Sequence, residues 1–335
     1  MIDNILVVGL GSMGKRRIRC LQKLGVSNIF GVDTRIDRCG DAKELYSIDV
    51  DQSLDHILVS NRFQAAIVSV PPDIHHHVMK KLLEYGIPHF VEASVILADL
   101  VEINQIAQAK KILIAPSSTL RFHPAITIIR DLILSGKAGK LSNLILHSGQ
   151  YLPDWHPYEP VADYYVSKKE TGGAREILPF ELTWLTEIFG HPTTALAVHQ
   201  KTIDIVGAED ISDNYHCILQ YPSSVMSLVV DVVSRPASRR LLINASNLQI
   251  HWDWQNNFVK TIAFEDNKEQ IINFQSSKSA TGYNENIPES MYVSEVEAFL
   301  HAVQRLKKFP NNLDDDIKLL KLLVQMEQNG EAHRI

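Results

Sequence analysis

The sequence predicts an α/β fold: a doubly wound parallel sheet at the N-terminus, then an α+β domain built on an open, mostly antiparallel sheet. Three observations carry this. Short, wholly apolar runs alternate with helical patterns through the first third of the 335 residues. Runs of that kind are buried on both faces of a parallel sheet, and a βαβ rhythm implies right-handed crossovers. After about residue 120 the rhythm changes, and short alternating strands follow one another with only turns between them, the pattern of an antiparallel sheet with one exposed face. The length suits two domains. They are placed at 1–120 and 121–335, the C-terminal helices being able to pack back on the first.

Ile5, Leu6, Val7 and Val8 form the first strand and run into Gly9-Leu10-Gly11-Ser12-Met13-Gly14, ahead of a helix at 15–24. In this G-x-G-x-x-G, Gly9 allows the tight turn, Gly11 lets the backbone approach a pyrophosphate, and Gly14 lets helix and strand pack closely. The helix N-terminus adds N–H groups and the positive end of its dipole. Gly25 stops the helix, and a strand at 28–32 ends on Asp33. That acid stands about twenty residues beyond Gly14, where a carboxylate accepts hydrogen bonds from the adenosine ribose hydroxyls. It repels a 2′-phosphate, so NAD is expected before NADP. Arg35 and Arg38 temper this, because a nearby arginine can pair with such a phosphate. Gly9, Gly11, Ser12, Met13, Gly14, Asp33 and Arg35 are the expected cofactor contacts from these elements.

Residues 65–70 read as the next buried strand, ended by Pro71-Pro72-Asp73 before a helix at 76–85 closed by Gly86. A strand at 89–92, a helix at 100–110 and a strand at 112–115 complete the first domain. In the second, a helix at 125–134 precedes strands at 144–151, 195–202, 215–221, 225–234, 239–245, 249–254, 258–264 and 270–274, interrupted by a helix at 180–189. Residues 276–286 read as a loop, and helices at 290–306 and 313–329 finish the chain.

Composition excludes several classes of function. A net charge of −6 offers no basic surface for nucleic acid. No apolar stretch reaches the roughly 18 residues of a membrane span, and no leader pattern opens the chain, so a cytoplasmic protein is expected. Cys20, Cys39 and Cys217, odd in number and far apart, fit reduced thiols and no metal site. Consecutive His75, His76 and His77 point in different directions on a helix and cannot easily share one ion. Trp252 and Trp254 share one face of a strand and read as core or subunit interface.

With this architecture, Val70-Pro71-Pro72-Asp73-Ile74-His75, Glu92-Ala93-Ser94, Arg121-Phe122-His123-Pro124-Ala125 and Gly172-Gly173 ahead of a helix resemble motifs of the Gfo/Idh/MocA (glucose-fructose oxidoreductase/inositol dehydrogenase) family. The resemblance runs over nearly the whole chain. It implies a Rossmann domain with further cofactor contacts from Pro71, His75 and Glu92, and NAD(P)-dependent chemistry on a secondary hydroxyl or keto group of a sugar. It also implies an open sheet that often carries oligomer contacts, hence a homodimer or tetramer. The family assists hydride transfer with the lysine of a Glu-Lys-Pro and with an Asp and a His after the glycines. Here Ala93 stands at the lysine, Ile177 at the Asp, and Phe180 or Glu181 at the His. The resemblance is thus to a divergent member, one without the usual Glu-Lys-Pro lysine.

Relocated acid/base groups are sought between residues 151 and 181. Tyr165 with Lys169, and Tyr164 with Lys168, share a Tyr-x-x-x-Lys spacing that on a helix would put both side chains on one face, where the lysine lowers the phenol pKa. His156 has a pKa near working pH, or is a packed loop histidine. Glu181 is either a carboxylate raised by burial or an ion-pair partner. Arg121 and Arg175 suit substrate clamps, because a guanidinium holds phosphate or carboxylate bidentately, and Asp154 and Trp155 lie among the same polar and aromatic residues. The expected substrate is therefore a nucleotide sugar or a sugar acid of surface-polysaccharide synthesis. The other reading of the lost residues is a dinucleotide-binding sensor, scaffold or partner subunit without redox turnover.

Overall fold

The computed structural model describes residues 2–157, 159–275 and 289–331. Met1–Thr119 with Ser290–Lys318 form one compact unit, and Leu120–Glu289 with Leu319–Ile335 a second. The first comprises β1 (Ile5–Val8), α1 (Ser12–Lys23), β2 (Ile29–Val32), α2 (Ile36–Tyr46), β3 (Asp49–Asp51), α3 (Leu54–Ser60), β4 (Ala65–Val68), α4 (Pro72–Glu84), β5 (His89–Val91), α5 (Leu97–Lys110) and β6 (Ile114–Pro116). Its strands lie in the order β3-β2-β1-β4-β5-β6, and every pairing is parallel. The order reverses at β1, which is the switch point where such sheets bind ligands beyond their carboxyl ends. All of β1 and β4 is buried, as wholly apolar strands covered on both faces must be. The stretch from α2 to α3 escaped the sequence reading: β3 is a three-residue Asp-Val-Asp edge strand with no apolar run to mark it.

The second unit opens with α6 (Pro124–Leu134), β7 (Leu141–Tyr151) and α7 (Ala174–Phe189). It continues through β8 (Thr194–Gln200), β9 (Asn214–Gln220), β10 (Val225–Asp231), β11 (Val233–Ala245), β12 (Leu248–Asp253), β13 (Phe258–Ala263) and β14 (Glu269–Asn273). These strands form one sheet in the order β14-β13-β12-β11-β7-β10-β9-β8. Only β7 with β10 pairs parallel among them. Along β7, Leu144 and Leu146 are buried while Asn143 and Ile145 are exposed, the alternation of a sheet with one covered face. α7 starts six residues before the expected 180, because Pro179 reads as a breaker in sequence yet sits inside the helix. The loop expected at 276–286 lies outside the described residues. α8 (Glu289–Val303) and α9 (Leu313–Glu331) end the chain. Among the described residues no helix is long and apolar enough to cross a membrane.

Candidate functional site

The glycine loop is shaped by contact. Gly9 has φ +93°, and a Cβ there would lie 2.6 Å from the Ser69 carbonyl oxygen. A Cβ on Gly14 would lie 1.8 Å from the Gly9 oxygen, so only glycine lets α1 start this close to β1. No side chain caps α1, whose N-cap is Gly11, which leaves the helix N-terminus shaped for an anion. Asp33 is fixed by two backbone donors: the Leu10 N–H reaches Oδ2 at 2.8 Å and the Arg35 N–H reaches Oδ1 at 2.9 Å. The carboxylate is thus aimed, with lone pairs remaining for ribose hydroxyls. The Arg35 guanidinium turns to Asp37, and it is Arg38 that approaches Asp33, at 3.8 Å. Met13 accepts a hydrogen bond on sulfur from Arg16. These residues fit NAD: Gly9 and Gly14 permit the close strand-to-helix turn that presents the uncapped N-terminus of α1, and Asp33 stands ready for the ribose.

At the carboxyl edge of the same sheet, Arg17 of α1 is fully buried. It donates to both Glu92 oxygens at 2.7 and 2.9 Å and to Glu295 of α8 at 2.8 Å. Glu295 also accepts from the Ser118 N–H at 2.6 Å, Ser117 Oγ and Thr119 Oγ1. Arg17 is wedged between Phe90 and Tyr292, and the two carboxylates hold its guanidinium firmly charged against the cost of burial. Glu92, expected beside the cofactor, is therefore bound bidentately by Arg17, and the neighbouring Ala93 contributes no proton-transfer group. Pro71 caps α4, and His75 behind it is buried, with Nε2 on the Val70 carbonyl and Nδ1 on Ser94 Oγ, both at 2.9 Å. Burial pushes His75 down to about 4, so the ring is neutral and acts as a brace.

In the second unit, residues 164–169 do not form the helix that the Tyr-x-x-x-Lys spacing requires. Residues Tyr165–Ser167 make a single 3-10 turn, with Tyr164 and Lys168 extended on either side, and Lys168 and Lys169 are exposed. Tyr165 instead donates from its hydroxyl to Glu176 Oε1 at 2.5 Å. Glu176 lies in the first turn of α7 and is buried. Burial pushes its carboxyl up to about 8 against the opposing pull of the Tyr165 hydrogen bond, and its Oε2 is buried with no partner among the described residues. His156 stacks on Tyr164 with ring centroids 4.8 Å apart, and Tyr164 meets Tyr165 edge-on at 6.0 Å. The rings thus form a continuous row ending at a buried carboxyl. The Trp155 indole nitrogen is likewise buried without a partner among the described residues, whereas Asp154 is half exposed and paired with Arg235.

Glu176 is the residue the sequence reading missed. It precedes Ile177, the position compared with the family's Asp, and its signal was a lone acid entering the apolar run Ile177-Leu178-Pro179. Other expectations need correction. Glu181 is fully buried but bound to Arg239 (2.7 Å) and the Trp184 indole N–H (2.8 Å), which makes it a link between α7 and β11. Arg239 lies over Trp254, which stacks on His123 beside Trp252, so both tryptophans belong to the packed face. Arg121 donates to the Thr183 carbonyl and pairs with Glu187. Arg175 pairs with Glu327 and donates to the Glu170 carbonyl. Both guanidiniums are spent within the unit, because burying them demands partners.

Comparison with known proteins agrees with this geometry. Residues 4–116 match the model of the GFO_IDH_MocA oxidoreductase family with an NAD-binding Rossmann fold. An uncharacterized oxidoreductase, C115.03, of Schizosaccharomyces pombe is 23% identical over 201 residues, or 56% of this chain and 50% of that protein. The chain thus spans about half the length of that relative. An oxidoreductase from Agrobacterium radiobacter, solved with NAD+, L-tartaric acid and magnesium, superposes with TM-score 0.85 at 12% identity, covering 99% of this chain and 96% of its own. Levoglucosan dehydrogenase with NADH and levoglucosan gives 0.82 at 12% identity, over 98% of both chains. UDP-N-acetylglucosamine 3-dehydrogenase from Acidithiobacillus ferrooxidans gives 0.77 at 16%, over 99% and 98%. At such identities these structures speak for the fold, in both of its parts. The glycine loop, the aimed Asp33 and the match over residues 4–116 together show an N-terminal domain that matches the NAD-binding Rossmann fold of the GFO_IDH_MocA oxidoreductase family.

Proposed function

We propose that the protein interconverts a secondary hydroxyl and a keto group on a sugar with NAD(H), and that Tyr165 is the group that moves the hydroxyl proton. The observation that carries this is the Tyr165 hydroxyl held at 2.5 Å on a buried carboxyl. NAD, when bound, accepts or returns the hydride. An alcohol carbon gives up hydride only as its oxygen gives up a proton, and a phenol hydrogen-bonded to a second titratable group is suited to take it. Trp155 Nε1, buried and unpartnered among the described residues, would orient the sugar by donating to a ring or hydroxyl oxygen. The relatives named for levoglucosan and UDP-N-acetylglucosamine support a sugar as substrate. Because Arg121 and Arg175 are paired within the unit, a sugar uncharged where it reacts, such as a nucleotide sugar of surface-polysaccharide synthesis, is favoured over a sugar acid. We further propose that a second copy of the chain covers the exposed sheet face, where Ile145, Val198, Ile218 and Val225 lie open.

The test is to follow reduced-nicotinamide absorbance with a panel of nucleotide sugars and neutral sugars. Tyr165→Phe is expected to lower kcat about 100-fold or more for the sugar that reacts, with NAD affinity unchanged. Full activity in Tyr165→Phe overturns the assignment. Tight NAD binding with no turnover of any sugar points to the binding protein instead.

A further inference from the structure

Tyr165 alone is a poor base, since its hydroxyl proton must go somewhere as the substrate's proton arrives. We propose that Glu176 is the terminal proton acceptor of this site: it takes the Tyr165 proton in the oxidising direction, returns it in the reducing direction, and is a positioning residue that never touches the sugar. The inference rests on the proposed function. It is carried by the 2.5 Å bond, by the burial of the carboxyl, and by an Oε2 that has no partner among the described residues. A carboxyl serving only to anchor Tyr165 would have its second oxygen satisfied or in water, because a buried polar atom left unpaired is costly.

The step balances. In oxidation the substrate C–H bond breaks and its hydride goes to NAD+. The substrate O–H bond breaks and its proton goes to the Tyr165 oxygen, while the Tyr165 O–H proton passes to Glu176 Oε1. The products are the ketone, NADH and a neutral Glu176 acid, which then loses its proton to solvent; reduction runs the same transfers backward. Oxidation therefore needs Glu176 ionised and reduction needs it protonated. With the carboxyl raised to about 8 by burial, oxidation should climb through that pH and reduction should fall through it.

The other groups around α7 are committed elsewhere. On the same helix, Arg175 pairs with Glu327, Glu181 with Arg239, and Glu187 with Arg121. On α6, Arg130 faces Asp131 and Glu187. On β9, Tyr215 donates to Glu327, Cys217 is held as a neutral thiol by burial, and His216 is exposed; on β10, Asp231 binds His147. On the turn preceding α7, the titratable group on Glu176 is Tyr165.

The experiment has two arms on the full chain. The first is infrared difference spectroscopy between pH 6 and 9.5, which reads the carbonyl stretch of a protonated carboxylic acid without any substrate. A band that disappears with a midpoint near 8, is missing in Glu176→Gln and shifts in Tyr165→Phe is expected. Absence of a carboxyl titrating above pH 6.5 overturns the proposal. The second arm is turnover of the sugar found by the panel. Glu176→Gln should lower oxidative kcat about 100-fold with KM unchanged and flatten the pH profile near 8, and Glu176→Asp should restore part of the rate. A Glu176→Gln enzyme with the wild-type rate and profile also overturns it. An infrared titration present while no sugar reacts leaves the proton site standing and counts against the redox function, so the two failures separate.

Discussion

Glu176 and Glu181 sit five positions apart on one helix, both buried, and their surroundings give them opposite work. Glu181 has a cation and an indole donor as partners; among the described residues Glu176 has a phenol alone, so burial wins and favours the neutral acid. The consequence for stability follows from the direction of that shift. A carboxyl whose folded pKa is raised binds its proton more tightly when folded, so stability falls as pH rises from the unfolded value near 4.5 to about 8. Glu176→Gln should therefore raise the thermal midpoint above pH 8 and leave it nearly unchanged at pH 4.5, as read by differential scanning calorimetry. Groups with strongly perturbed pKa values concentrate at functional sites, where stability is given up for activity. Glu181→Ala should behave in the other sense, because it leaves Arg239 buried and unpaired. A loss of about 3 kcal/mol in denaturant unfolding is expected, with NAD affinity unchanged.

At the scale of elements, α1 does two things with one sequence. Its first turn presents the glycine loop, and one turn on, Arg17 locks the helix to Glu92 after β5 and to Glu295 on α8. Arg17→Met would strand Glu92 and the fully buried Glu295 without their cation. A destabilisation of about 3–5 kcal/mol is expected, together with weaker NAD binding because the helix N-terminus loses its anchor; calorimetry with and without NAD measures both. The glycine loop, β1, β4 and Asp33 were legible in sequence because their requirements are local: a turn only glycine can make, a run of four apolar residues, an acid at the end of a strand. The Arg17 network was not, since its partners lie 75 and 278 residues away. The 151–181 stretch misled for a related reason. A Tyr-x-x-x-Lys spacing has meaning only on a helix, and Pro153, Pro157, Pro160 and the glycines at 172 and 173 hold this stretch to short 3-10 turns and extended links.

For the whole molecule, the alternation of β7 and its neighbours correctly announced a sheet with one covered face, and the exposed Ile145, Val198, Ile218 and Val225 on the other face set an expectation about assembly. Light scattering should find a dimer or tetramer, and replacing Ile145 and Ile218 with lysine should shift it toward monomer; a wild-type monomer at working concentration refutes the assembly. The first unit, meanwhile, is written in two pieces. Glu295, which receives Ser118 and Thr119, lies 176 residues beyond Thr119 in the chain. At roughly 5–20 residues per second, translation needs about ten to thirty-five seconds to add that interval. Over this time a nascent chain has the glycine loop, Arg17 and Glu92 in hand but lacks the carboxylate that closes them. The nucleotide-binding unit begins synthesis first yet cannot close until α8 has been made, so any transplant of this unit into another enzyme must carry the distant α8 segment with it.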